Sequence, residues 1–147
     1  MNYFDIFLRI GTAALLGGII GLQREWVGKE AGFRTHALVS AGSAIIMIVS
    51  IYIYEVYKVQ GAVVDPSRIA AQVVTGIGFL GAGAIIRSGA TIVGLTTAAC
   101  LWSVAGIGLA SGAGFYEISF IGALVILIIL VVFQKLENIL LKKRKKE

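Results

Sequence analysis

Apolar residues run along this chain in five long blocks separated by short polar breaks, with no sustained alternation of period two. A helix that crosses a bilayer needs about 20 mostly apolar residues. The blocks predict helices over roughly Tyr3–Leu22, Thr35–Tyr54, Pro66–Ile86, Ile92–Ala110 and Tyr116–Phe133. The fifth block ends on the aliphatic run ALVILIILVVF. The pattern predicts an all-α integral membrane protein, a bundle of five transmembrane helices.

The polar breaks orient the bundle. The first carries Arg24, Lys29 and Arg34, the third carries Arg87, and the end of the chain carries Lys135 and KKRKK. The second holds Lys58, with Arg68 just inside the next helix, and the fourth, SGAGF, has no basic residue. Basic loops stay on the cytoplasmic side, so the N-terminus is expected outside and the C-terminus in the cytoplasm. Tyr52, Tyr54 and Tyr57 would form an outer aromatic belt, with Trp26 at the inner face. Residues 1–135 are read as a transmembrane domain and 136–147 as a basic cytoplasmic tail.

Composition agrees with lipid as the solvent. The 147 residues are 58% hydrophobic and only 14% charged, against about 25% charged in soluble domains. A chain this short cannot bury so much apolar surface in an aqueous core. The net charge of +5 does not signal nucleic acid, because the terminal KKRKK supplies five positive charges. A basic cluster beside a span contacts anionic headgroups. Cys100 is the single cysteine, which excludes an intrachain disulfide and suits an inert core thiol. MNYFDIFLR lacks a basic start and a cleavage pattern, so the first helix is expected to be retained.

Residues 76–81 read GIGFLG, a literal dinucleotide-binding fingerprint. That loop needs a preceding strand and an acid about 20 residues on for the ribose. Here no Asp or Glu lies between Asp65 and Glu117. Glycines in membrane helices instead permit close helix approach. At about 100° per residue, Gly76 and Gly83 share one side of the third helix while Gly78 and Gly81 lie on roughly the other. Glycine on two sides places this helix at the centre of the bundle.

The same projection gathers Arg68, Gln72, Thr75, Gly76, Phe79 and Gly83 into an arc about 100° wide. A polar stripe in a span is expected to face protein or water, either bonding a neighbouring helix or lining a polar site. Asp65 before Pro66 is a helix start, with a carboxylate cap and proline in the first turn; its spacing to Arg68 also permits an ion pair. Arg9 lies inside the first span, and either pairs with Asp5 one turn earlier or snorkels outward. On the fourth helix Thr96, Cys100 and Ser103 share one face, and Gly94, Ala98 and Ala105 form a packing seam on another. Gly17 and Gly21 have the G-x-x-x-G spacing, open to a second copy or to a neighbour in the same chain.

LQREWVGKEAGFRTH, the first loop, packs Arg24, Glu25, Lys29, Glu30 and Arg34 around Trp26 and Phe33. That density predicts mutual ion pairing, a docking surface, or simply a topology signal. His36 is the only histidine, and no ligand set for a metal accompanies it. No nucleophile–base pair is evident, so no catalytic residue, metal or cofactor is assigned.

Three segments, GIIGLQREWVGKEAGFRTHALVSAGSA, DPSRIAAQVVTGIGFLGAGAII and GLTTAACLWSVAGIGLA, together resemble the MgtC/SapB family of bacterial inner-membrane proteins. The resemblance implies a multi-pass inner-membrane protein linked to adaptation to low Mg²⁺, to acid and phosphate balance, and in pathogens to virulence. Its members look like modulators of other membrane proteins, with no established catalytic residues. The matching positions are Arg24, Glu25, Lys29, Gly32, Arg34, Thr35 and His36, then Asp65, Arg68, Gln72, Gly76, Gly78, Gly81 and Gly83, then Thr96, Thr97 and Trp102. Gln23 stands where the loop motif often has glutamate, which removes a carboxylate from any cation site there. Longer members add a cytoplasmic C-terminal domain, whereas this chain stops at KKRKKE.

The expectation is a non-enzymatic regulator that binds partner membrane proteins or a small ligand, with a homo-oligomer permitted. Arg24, Glu25, Lys29, Arg34, Thr35 and His36 would form a cytoplasmic contact network. Asp65, Arg68, Gln72, Thr75, Thr96 and Thr97 would form an outer or intramembrane polar site, and Gly76, Gly78, Gly81, Gly83 and Gly94 would pack helices. The alternative is a small oligomeric transporter or channel for Mg²⁺, H⁺ or another small ion.

Overall fold

The computed structural model describes residues 1–58, 65–88 and 90–144. The second polar break from 59 to 64, and the last residues of the basic tail, 145–147, lie outside the described residues. Helix α1 spans Tyr3–Trp26, α2 Phe33–Lys58, α3 Ser67–Gly83 and α4 Leu95–Ala113. Helix α5 (Tyr116–Ile128) passes through a π-helical turn (Ile129–Phe133) into α6 (Gln134–Arg144) without leaving helical backbone angles. Four helical segments are long and apolar enough to cross a membrane: Tyr3–Trp26, Phe33–Lys58, Leu95–Ala113 and Tyr116–Leu140. The protein is therefore a predominantly helical membrane protein.

One element departs from pure helix. Strands β1 (Ile86–Ser88) and β2 (Thr91–Val93) form an antiparallel hairpin with Ile86 opposite Val93 and Ser88 opposite Thr91. The expected third and fourth helices, running to Ile86 and from Ile92, are thus cut short at Gly83 and begun late at Leu95. The cause is local: Ile86, Thr91, Ile92 and Val93 are β-branched and favour extended backbone. Gly94 then turns the chain into α4 with φ +91°, and a Cβ there would overlap the Ala84 carbonyl. Only glycine fits that position.

The core is built by α1 and α4 gripping α2. Lipid gives helices no hydrophobic reason to associate, so close packing must hold them. A Cβ on Gly17 would come within 2.6 Å of Ser40 Cβ, and one on Gly21 within 2.6 Å of the Gly32 carbonyl oxygen. Further along the same face of α2, a Cβ on Gly112 would lie 2.5 Å from the Ala44 carbonyl oxygen, and one on Gly108 would overlap that of Ser40. Both glycine pairs have the G-x-x-x-G spacing. The Gly17–Gly21 seam is therefore occupied by α2 of the same chain and is closed to a second copy. Leu16, Ile20, Cys100, Val104, Ile107, Ala123 and Leu130 fill the space between α1, α4, α5 and the π turn.

The central helix is α4, which packs against α1, α2, α3 and α5. This corrects the expectation that α3 sits at the centre. Helix α3 docks along one stripe, Val73, Ile77 and Gly81, with Val73 and Ile77 against Ala105 of α4 and Gly81 facing Ala98. Cβ atoms added at Gly76, Gly78 or Gly83 would meet nothing within 4 Å, so these three do not serve packing inside the chain. Glycine periodicity alone cannot tell a seam from an open face.

Polar groups fasten the helix ends. Arg9 turns inward rather than snorkelling. Its Nε donates to Asp5 at 3.1 Å, and a terminal nitrogen donates to the Gly112 carbonyl at 2.8 Å. That carbonyl lies in the last turn of α4, where helices leave acceptors unpaired and favour a cation. Ser111 donates to Ser119 at 3.0 Å across the α4–α5 turn, and the Ser50 hydroxyl donates to the Pro66 carbonyl, tying α2 to the start of α3.

Two stability outcomes are expected in detergent unfolding measurements. Gly108→Ala should destabilise by about 1–3 kcal/mol through overpacking, whereas Gly106→Ala, whose Cβ would meet nothing within 4 Å, should be neutral or slightly stabilising. Arg9→Met should cost about 1–3 kcal/mol by stranding the Gly112 carbonyl, and more than Asp5→Asn.

Candidate functional site

The end of the bundle that carries the first loop, the hairpin and α6 gathers most of the polar chemistry. Arg24 sits in the last turn of α1 and is only 3% exposed. One terminal nitrogen donates to Thr97 Oγ1 at 3.3 Å, while its Nε is buried without a hydrogen-bond partner. Arg24 and Thr97 border a cavity of about 480 Å³ that Lys29, Thr96, Gln134 and Glu137 also line. Its apolar wall includes Ile129, Leu130 and Phe133 of the π turn. Such turns recur at functional sites.

Glu25 has a structural task. Its Oε2 accepts from the Phe33 amide at 2.9 Å, capping α2 from across the loop, and Gly32 lets the carboxylate lie against the backbone. His36 is fully buried; its Nδ1 lies 2.9 Å from the Gly32 carbonyl oxygen, and its Nε2 has no partner. The Ser40 hydroxyl, one turn along, and Gln23 Oε1 are likewise buried and unpartnered. Arg34 and Thr35 are exposed. Among the described residues no ion pair joins the charges of this loop; the salt bridge found is Arg9–Asp5. The expected mutual pairing is replaced by contacts to backbone and hydroxyl groups.

The proposed outer or intramembrane set divides. Thr96 and Thr97 open α4 at the first-loop end, beside Arg24, and do not join Asp65, Arg68, Gln72 and Thr75 on α3. The reason is chain direction: α3 and α4 are antiparallel neighbours, so the start of one faces the end of the other. Asp65 accepts from the Ser67 hydroxyl at 2.7 Å and the Ser67 amide at 2.8 Å. These bonds, with the Arg68 charge in support, hold its carboxyl below the usual range. The cap is therefore complete at neutral pH and is lost only as pH falls through that lowered value. The direct Asp65–Arg68 bridge is not formed among the described residues.

Arg68, Gln72 and Thr75 are exposed, and Phe79 is 82% exposed. The polar arc lies roughly opposite the Val73–Ile77–Gly81 stripe and so turns away from α4. Gln72 and Gly76 border an apolar groove of about 490 Å³ between α2 and α3. Gln134 and Glu137 escaped sequence reading because they follow the fifth apolar block and belong to no motif. A carboxylate one turn from Gln134 was the available signal. The Gly108–Gly112 pair was legible as G-x-x-x-G but lay among other small residues.

Comparison with known proteins fits this architecture. Residues 10–139 match the MgtC family profile. The chain is 47% identical over 140 residues to a protein of Escherichia coli K12 named putative magnesium transporter YhiD, covering 95% of this chain and 65% of that protein. It is 46% identical over 126 residues to Protein SapB of Bacillus subtilis, covering 84% and 54%. It is 42% identical over 127 residues to Protein MgtC of Salmonella typhimurium, covering 86% and 52%. The chain thus spans between half and two thirds of the length of these relatives. No solved structure matches. With four long apolar helices and a family match across nearly all of its residues, this chain belongs to the MgtC family of membrane proteins.

Proposed function

We propose that this chain is a non-enzymatic regulatory protein of the bacterial inner membrane, acting by binding other membrane proteins during adaptation to low Mg²⁺ or to envelope and acid stress. The observation that carries this reading is the exposed face of α3 turned away from α4. It combines Gln72, Thr75 and the exposed Phe79 with Gly76 and Gly83, whose missing side chains leave open space. Lipid rewards neither amide nor hydroxyl groups, and glycine lets a second helix come close. Such a face suits a partner helix.

The chain crosses the bilayer five times in this reading, with α3 forming the third crossing and the hairpin at its cytoplasmic end. Arg24, Lys29, Arg34 and Arg87 then share the cytoplasmic side with the basic end of the chain, as positive-inside topology requires. The outer end holds Asp65 and the Arg9–Asp5 pair. Virulence in pathogens would follow from the same stress adaptation.

A photoreactive residue at position 79 should give a discrete cross-linked species in native membranes, and Gly76→Leu with Gly83→Leu should abolish it at unchanged protein level. The same double variant should lose growth support under Mg²⁺ limitation. Full growth support with no cross-linked species would overturn the partner reading.

A second reading, transport of Mg²⁺ or another small ion by an oligomer, is favoured by the name of the Escherichia coli relative. The α3 arc would then line a path between copies. Purified protein in liposomes should carry ion flux that Gln72→Leu reduces; absence of flux across Mg²⁺ and H⁺ would remove this reading.

A further inference from the structure

The two buried or half-buried arginines near the ends of α4 stand in opposite electrostatic settings. Arg9 meets the C-terminal carbonyls, the negative end of the helix dipole, and has Asp5 as counter-ion. Arg24 lies at the other end, beside the first turn of α4, where the dipole is positive. It is 97% removed from solvent, has no carboxylate within ion-pair distance among the described residues, and makes its one hydrogen bond to a neutral hydroxyl. A buried charge without a counter-ion is costly. Among the described residues Glu137 is the one carboxylate that lines its cavity, and the two form no ion pair.

The rest of the cavity supplies donors. The first helical amide bond of α4 runs from Ala98 to the Gly94 carbonyl at 2.9 Å, so the amides of Leu95, Thr96 and Thr97 have no partner within the helix. Gly94 at the N-cap has no side chain to cap them. Thr96, Thr97 and Lys29, which carry hydroxyl and ammonium donors, line the same space. A cation would meet a guanidinium and a positive helix end there, opposed only by Glu137. An anion meets complementary groups.

We propose that this cavity binds a phosphate-type oxyanion, held by Arg24, Lys29, the threonine hydroxyls and the first amides of α4. The donors outnumber what a carboxylate can use, and a tetrahedral group with several oxygens can engage them together. A volume of about 480 Å³ with an apolar wall at the π turn leaves room for an organic group esterified to the phosphate. The chemistry has two sources, a soluble phosphate or phosphate ester and a phospholipid headgroup. Glu137 accepts a hydrogen bond from a protonated oxygen of the bound group. No residue of α3 lines this cavity, so the site does not depend on a partner at the α3 face.

The test uses the whole chain, purified in neutral detergent without phosphate. Inorganic phosphate and glycerol 3-phosphate are titrated against thermal unfolding. In parallel, nanodiscs of phosphatidylcholine with and without phosphatidic acid are examined by native mass spectrometry for retained lipid. Saturable stabilisation by the soluble compounds assigns a free phosphate; retention of phosphatidic acid alone assigns a headgroup. In either arm Thr97→Val and Lys29→Gln should each weaken binding about tenfold, the value of a lost charge-assisted hydrogen bond. Thr97→Val leaves net charge unchanged, so general attraction to the basic tail survives it. Arg24→Gln should abolish binding, and its folding is checked separately by circular dichroism. No binding in either arm, or binding unaltered in both Thr97→Val and Lys29→Gln, would overturn the proposal.

Discussion

Close backbone approach at two glycine pairs governs this protein. In lipid the helices gain nothing by hiding apolar surface from one another, so association depends on contact area and on how near the backbones come. Gly17 and Gly21 on α1, and Gly108 and Gly112 on α4, let both helices lie directly on α2. From that clamp follow the burial of His36 and Ser40, the central position of α4, and the cavity between α4 and the π turn. A side chain at any of the four positions would force the helices apart and disperse the groups at both ends.

The clamp also explains why α4 can carry guanidinium groups at both ends. Helix α1 runs antiparallel to α2 and reaches each terminus of α4, delivering Arg9 to one and Arg24 to the other. At the carbonyl end the charge is matched by acceptors and by Asp5. At the amide end it has no ion-pair partner among the described residues, Lys29 adds a second positive charge, and two threonines add hydroxyl donors. The protein therefore stabilises one terminus internally and leaves the other suited to an external anion.

Helix α3 follows different rules. It touches α4 through one narrow stripe and is fastened to α2 through the Ser50–Pro66 bond, leaving an apolar groove between them. Its glycines relieve no crowding within the chain. A helix held this lightly, with polar and glycine positions toward lipid, has surface to offer another membrane helix without unmaking the core.

The sequence by itself determined the solvent and the class. Five apolar blocks, few charges and loop arginines on alternate breaks read as a helical membrane protein, because hydropathy and length are properties of single segments. The Arg9–Asp5 pair and the Asp65 cap were legible for the same reason, being contacts within one or two turns. Only the tertiary structure decided which glycines are crowded. Gly76 and Gly83 look like a seam in projection yet face open space, while Gly108 and Gly112 bear on α2. It also decided that Thr97 belongs with Arg24, 73 residues away in sequence, and that β-branched residues after Gly83 fold into a hairpin. Periodicity records which residues share a face; what that face meets is fixed by the neighbouring helices.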